Sequence, residues 1–155
     1  MSPEAEIIAD IVARLVALRA SLVDTLDLTG PVPVDRVAFE KLTKIERVAS
    51  TSLLKVVEQI EDQLARLFRT ILQALAVDTG GFYAQDYANR MEQLGIVHDA
   101  GRWVGIVRLR NRLVHDYPID PAAQFSRLKQ AHEATSFLLD TTERALAFLK
   151  DRNLP

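Results

Sequence analysis

Apolar side chains recur along this chain at steps of three and four residues, the spacing that lines up one face of an α-helix. From Glu4 to Leu26 the positions Ile8, Ile11, Leu15, Leu18, Leu22 and Leu26 keep that step and predict a first helix with one apolar stripe. The stretch Leu28–Pro33, with one glycine and two prolines, interrupts it. Asp35 is placed to cap the next helix. From Arg36 to about Val77 there is neither Gly nor Pro, and Leu42, Ile45, Leu53, Val57, Ile60, Leu64, Leu67, Phe68, Ile71 and Leu75 stay in helical phase. One long helix is predicted there, with Ala49–Ser52 as the expected site of a kink or break.

The rest of the chain is punctuated by turn chemistry. Asp78–Gly81 ends the long helix. A short helix is expected over Tyr87–Leu94, closed by Gly95 in the left-handed conformation that glycine enters without steric cost. Asp99 can cap a fourth helix. Asp120-Pro121 starts a fifth, with Asp at the cap and Pro in the first turn, and Phe125, Leu128, Leu139, Leu146 and Leu149 form its core face. No segment alternates with a period of two between turn signals, so no sheet is expected. The pattern predicts an all-α fold, an antiparallel bundle of about five helices. The long stripes of the first two helices suggest self-association.

Composition narrows the class. At 155 residues the chain fits one domain, and 48% apolar with 26% charged residues is an ordinary globular balance. The net charge is −2, so a polyanion would have to be held by a local patch rather than by the whole molecule. The absence of cysteine excludes disulfides, thiolate metal sites and cysteine nucleophiles. The N-terminal segment lacks the basic leader and apolar core of a signal peptide, and no apolar run approaches the roughly 20 residues of a membrane span. A cytoplasmic protein without membrane association is expected.

The chemistry concentrates in Arg108–Pro118, RLRNRLVHDYP. At 100° per residue Arg108, Asn111, Arg112 and His115 share one face, whereas Arg110 and Tyr117 point nearly the other way; Arg110 and His115 are roughly 140° apart. A bent helix end, a wrapping arginine or a second subunit is needed to join them. Pro118 disfavours helix at Tyr117 and ends the helix there. Histidine titrates near neutrality and serves as general acid or base, and the guanidinium fork matches phosphate oxygens. The set suits attack of a ribose 2′-hydroxyl on the adjacent phosphate, with arginine stabilising the pentacoordinate transition state. No metal cluster is apparent: no histidine pair is spaced four apart. An Arg-rich helix end is equally the composition of a solvated face.

Arg110-Asn111-Arg112-Leu113-Val114-His115-Asp116-Tyr117 resembles the R-x-x-x-x-H-x-Y signature of HEPN-domain proteins, and within them the HepT-like toxins of bacterial toxin–antitoxin pairs. The resemblance runs from about Lys55 to Lys150. It implies a domain organisation with an N-terminal helix over 1–28, a Pro/Gly linker over 29–34 and a HEPN-like bundle over 35–155. It further implies a homodimer whose two motifs face one another across a cleft, and cofactor-free, metal-independent cleavage of RNA. Arg110 and His115 match the catalytic positions and Asn111 the polar residue beside them. Tyr117 matches the tyrosine that a cognate nucleotidyltransferase antitoxin modifies with AMP. Arg108 and Arg112 lie outside the signature and are assigned to RNA phosphates. The alternative is a non-catalytic nucleotide- or substrate-binding partner subunit of a nucleotidyltransferase.

Other polar residues read as structural. His132 sits at core spacing, and His98 next to Asp99 reads as turn chemistry. Glu58, Glu61 and Asp62 form an acidic cluster expected on a solvated face, with an anchor for the arginines as the other option. Tyr83 and Tyr87 are expected to pack, with a mobile rim over the cleft as the other option, and Trp103 to be core or dimer interface.

Overall fold

The Ser2 hydroxyl accepts from the amide of Ala5 at 3.1 Å and starts the first helix, which continues unbroken to the prolines. In the computed structural model, which describes residues 2–115 and 118–154, this helix is α1, Pro3–Thr29. It is followed by α2 (Arg36–Glu40), α3 (Lys44–Ala74), α4 (Ala84–Gln93), α5 (Ala100–His115) and α6 (Pro121–Asp151). Among the described residues there are six helices and no strand. The all-helical expectation holds, and the number differs by one.

The extra helix comes from a break at Lys41–Thr43 rather than at Ala49–Ser52, which stays helical. Two local effects decide this. Thr43 and Glu46 form a reciprocal capping box, the hydroxyl accepting from Glu46 N–H at 3.2 Å and the carboxylate from Thr43 N–H at 2.9 Å. The hydroxyls of Ser50 and Thr51 turn inward instead of breaking the helix, donating to the carbonyls of Glu46 and Arg47 at 2.7 and 3.2 Å.

Side-chain pairs give the directions of the helices. The end of α1 and the start of α3 line one apolar hollow through Leu28, Ile45 and Val48, so these helices run antiparallel. Between α3 and α5, Phe68 stacks on Trp103 at 4.7 Å, and Asp62 bonds Arg110 farther along, again antiparallel. Between α5 and α6, Arg102 lies over Phe137 and Arg112 bonds Gln130. The core joins Ile8, Ile11, Leu15 and Leu22 of α1 to Leu53, Leu64, Leu67 and Ile71 of α3 and to Phe137 and Leu138 of α6. The first helix is thus part of the same core, and Arg19 ties it to Glu143 of α6 at 2.9 Å. Among the described residues no helix is long and apolar enough to cross a membrane.

The short helix begins earlier than predicted, at Ala84 rather than Tyr87, because Asp86 accepts from the Tyr83 amide at 2.8 Å. Its end is as expected: Gly95 has φ of 78°, and the amides of Gly95 and Ile96 reach back to the carbonyls of Glu92 and Met91. The long helix ends by the same device with a residue less suited to it, Ala76 at φ 57°. Asp99 and Asp120 cap α5 and α6 through Arg102 N–H and Ala123 N–H.

Candidate functional site

Along α5 the side chains of Trp103, Ile106 and Leu109 are buried at steps of three, which turns the polar residues of the motif outward. Arg110 follows the last of these and sits at the margin of the buried face. Its Nη2 donates to Asp62 Oδ1 at 3.0 Å, its Nε lies 3.4 Å from Glu61 Oε2, and its Nη1 donates to Asn111 Oδ1 at 3.4 Å. The acidic cluster is therefore not a solvated face: Glu61 is 3% exposed, and both it and Asp62 face Arg110. The other acid, Glu58, pairs with Lys55 on its own helix at 3.2 Å.

Burial dominates the chemistry of Glu61. Desolvation pushes its carboxyl up to about 7, against the opposing pull of Arg110 and Arg69, while Asp62 and Glu58 add to the rise. At neutral pH the Glu61 carboxyl therefore exchanges between charged and neutral forms.

Arg110 and Asn111 open onto a cavity of about 250 Å³ between α3, α4 and α5. Trp103, 2% exposed, and Phe68 form its floor. Of the two tyrosines expected to pack, Tyr87 does so edge-on to Phe82 at 5.3 Å, whereas Tyr83 stands 80% exposed at the rim. Arg69 completes the lining with a second cation. Tyr83 thus takes the rim position rather than the packed one, and sequence reading missed Arg69, which carries no signal until α3 packs against α5.

The remaining motif residues divide between two surfaces. Arg108 and His115 are exposed and have no hydrogen-bond or ion-pair partner among the described residues. Arg112 points the other way, its Nη2 donating to Gln130 Oε1 at 3.1 Å on a groove between α5 and α6, and its carbonyl accepts from Arg127 Nη1 at 3.1 Å. One chain thus brings Arg110 and Asn111 together but directs Arg112 elsewhere. Asn111 also lies one turn before His115 on the same helix face, whereas Arg110 stays roughly 140° from His115 about the axis of α5. Tyr117, the expected modification site, lies outside the described residues.

Two histidines complete the inventory. His98 is not confined to its turn: Nδ1 is 3.3 Å from Asp140 Oδ2 on α6, and the ring lies 5.0 Å from that of Phe137. His132 is half-buried, and desolvation holds its pKa below the usual value. Among the described residues no group of three or more His, Asp or Glu side chains is placed to hold a metal ion. No protein-family model matches this chain, and comparison with curated proteins and with solved structures gives no match either.

Proposed function

We propose that the chain is a metal-independent endoribonuclease of the HEPN type, a HepT-like toxin that works as a homodimer in the cytoplasm. His115 takes the proton of a ribose 2′-hydroxyl as that oxygen bonds to the adjacent phosphorus. The bond from phosphorus to the 5′-oxygen breaks, and the departing oxygen receives a proton from the imidazolium. The products are a 2′,3′-cyclic phosphate and a free 5′-hydroxyl. Arg110 and Asn111 stabilise the charge that develops on the phosphoryl oxygens, and Arg108 and Arg112 hold flanking phosphates.

Arg110 and Asn111 paired at the cavity, with His115 exposed one turn after Asn111, are the observation that carries this reading. Carboxylates hold the guanidinium in place, an amide lies beside it, and the His115 imidazole, exposed and without a partner among the described residues, stands one turn after that amide. Because Arg110 and Arg112 face different surfaces in one chain, a second copy is needed to enclose a phosphodiester. In the same proposal Tyr117 receives AMP from a cognate nucleotidyltransferase, and the added anion repels RNA phosphate.

The test is cleavage of RNA by the purified protein in the presence of a chelator. Wild type is expected to cleave, and His115→Ala to lose at least about 100-fold in rate, the lower range for general acid–base catalysis, with its dimer intact. Wild-type protein that forms the dimer and leaves RNA uncut ends this reading. One observation favours a second: Asp62 and Glu61 already occupy Arg110. A non-catalytic partner subunit of a nucleotidyltransferase needs no free guanidinium, and stable binding to such an enzyme without RNA cleavage selects it.

A further inference from the structure

The interior of the cavity beside Arg110 is poorly matched to a phosphate, which in the proposed reaction lies outside its rim. Its two cations, Arg69 and Arg110, face two carboxyls, Glu61 and Asp62, so its formal charges nearly cancel. Its floor is the buried Trp103–Phe68 pair, and its rim carries an aromatic ring exposed to water. A tyrosine left 80% exposed beside an aromatic-floored cavity is a stacking platform without its ring partner. Flat, uncharged heteroaromatic rings suit such a site, and the polar atoms at its edge decide which one. Asp62 is half-exposed, with Oδ1 accepting from Arg110, and its second carboxylate oxygen accepts no hydrogen bond among the described residues.

A carboxylate accepts two adjacent N–H groups side by side. Among the four RNA bases, guanine alone offers that pair on its Watson–Crick edge, the N1–H and the N2 amino group, next to an O6 acceptor that suits a guanidinium or amide donor. Adenine and cytosine offer one amino group beside a ring acceptor, and uracil a single N–H between carbonyls. We propose that this cavity is a guanine-binding subsite, in which an unpaired guanine base stacks on Tyr83, donates N1–H and N2–H to Asp62, and accepts at O6 from Arg110 or Asn111. The assignment rests on the ribonuclease reading for the rest of the ligand, since it makes the base a neighbour of the phosphate to be cut. The ring chemistry is shared by a guanosine within single-stranded RNA and by a free guanine nucleotide.

Trp103 is the only tryptophan of the chain and lies in the cavity floor, which provides a readout independent of catalysis. The full-length protein is titrated with guanosine 5′-monophosphate, adenosine 5′-monophosphate, and uncleavable 2′-O-methyl oligoribonucleotides of adenosines with or without one guanosine. Binding is measured by Trp103 emission and by calorimetry. Saturable binding of guanine ligands is expected, at least about tenfold tighter than their adenine counterparts. Tyr83→Ala should weaken it about tenfold or more, in line with the loss of one base–aromatic stack, and Tyr83→Phe should retain it. Tyr83 is exposed, so these variants test the site without threatening the fold. Asp62→Asn should abolish the preference for guanine. Tighter binding of the guanosine-containing oligonucleotide than of the mononucleotide identifies RNA as the source, and equal affinity identifies the free nucleotide.

No binding by either method, equal affinity for guanine and adenine ligands, or indifference to Tyr83→Ala overturns the assignment. RNA cleavage is scored separately. Cleavage without guanine binding removes the subsite and leaves the ribonuclease. Guanine binding without cleavage leaves the subsite and removes the ribonuclease.

Discussion

The fate of a single side chain, Arg110, decides how the motif is read. In the sequence only its place in the R-x-x-x-x-H-x-Y pattern sets it apart from Arg108 and Arg112; folded, it is the one held by two carboxyls. Its position at the edge of the buried face comes from the three-residue step Trp103, Ile106, Leu109, but the identity of what faces it depends on α3, 48 residues away in the chain. Glu61 registers this contact through pH. Its folded pKa of about 7 exceeds the unfolded value of 4.5, so the folded state binds the extra proton. The stability this contributes is fully present below about pH 4.5 and is lost as pH rises through about 7, on the order of 3 kcal/mol in all. Glu61→Gln is therefore expected to flatten the pH dependence between about pH 5 and pH 8, so that the variant gains on wild type as pH rises. Urea denaturation at several pH values measures this. Parallel curves for the two proteins contradict the assignment of the shift to Glu61.

Whole helices depend on a few end residues. Thr43 starts α3 through its capping box, and Thr43→Ala should cost about 1 kcal/mol in thermal or denaturant unfolding. The Thr-x-x-Glu signature is readable in the sequence, yet the hydroxyl-rich Ala49–Ser52 presents itself there as the more obvious break. Hydroxyls mid-helix have carbonyls of the preceding turn within reach, and Ser50 and Thr51 use them. At the other end of α3, Ala76 occupies the left-handed conformation that a Cβ disfavours by roughly 1–2 kcal/mol. Ala76→Gly relieves that strain at some cost in unfolded-chain entropy, and a net gain of about 1 kcal/mol is expected. An unchanged or lowered melting temperature would show that the Ala76 methyl contributes packing that outweighs its strain. Gly95 in the equivalent position of α4 is the same solution with the fitting residue, and it is foreseeable because glycine after an apolar-periodic helix has one common use.

At the scale of the molecule the motif residues do not converge within one chain. Arg110 and Asn111 line the cavity against α3 and α4, Arg112 binds α6, and Arg108 and His115 face outward. On the proposed reading two chains share the cleft, so sedimentation should give twice the chain mass of 17.4 kDa at the concentrations where cleavage is seen. A monomer that cleaves RNA at full rate rules out the shared cleft. The sequence by itself determined the elements: three- and four-residue apolar steps, Asp and Ser caps, and glycine and proline stops act within a turn or two of their own position. It also marked the polar motif, because residue types and spacing are local. Only the tertiary structure decided what that motif touches. Which carboxylates meet Arg110, how Tyr83 comes to the rim, and why Glu61 loses its water all depend on packing between α3, α4 and α5. Desolvation and ion pairing are properties of neighbours brought together by the fold, and no periodicity along the chain encodes them.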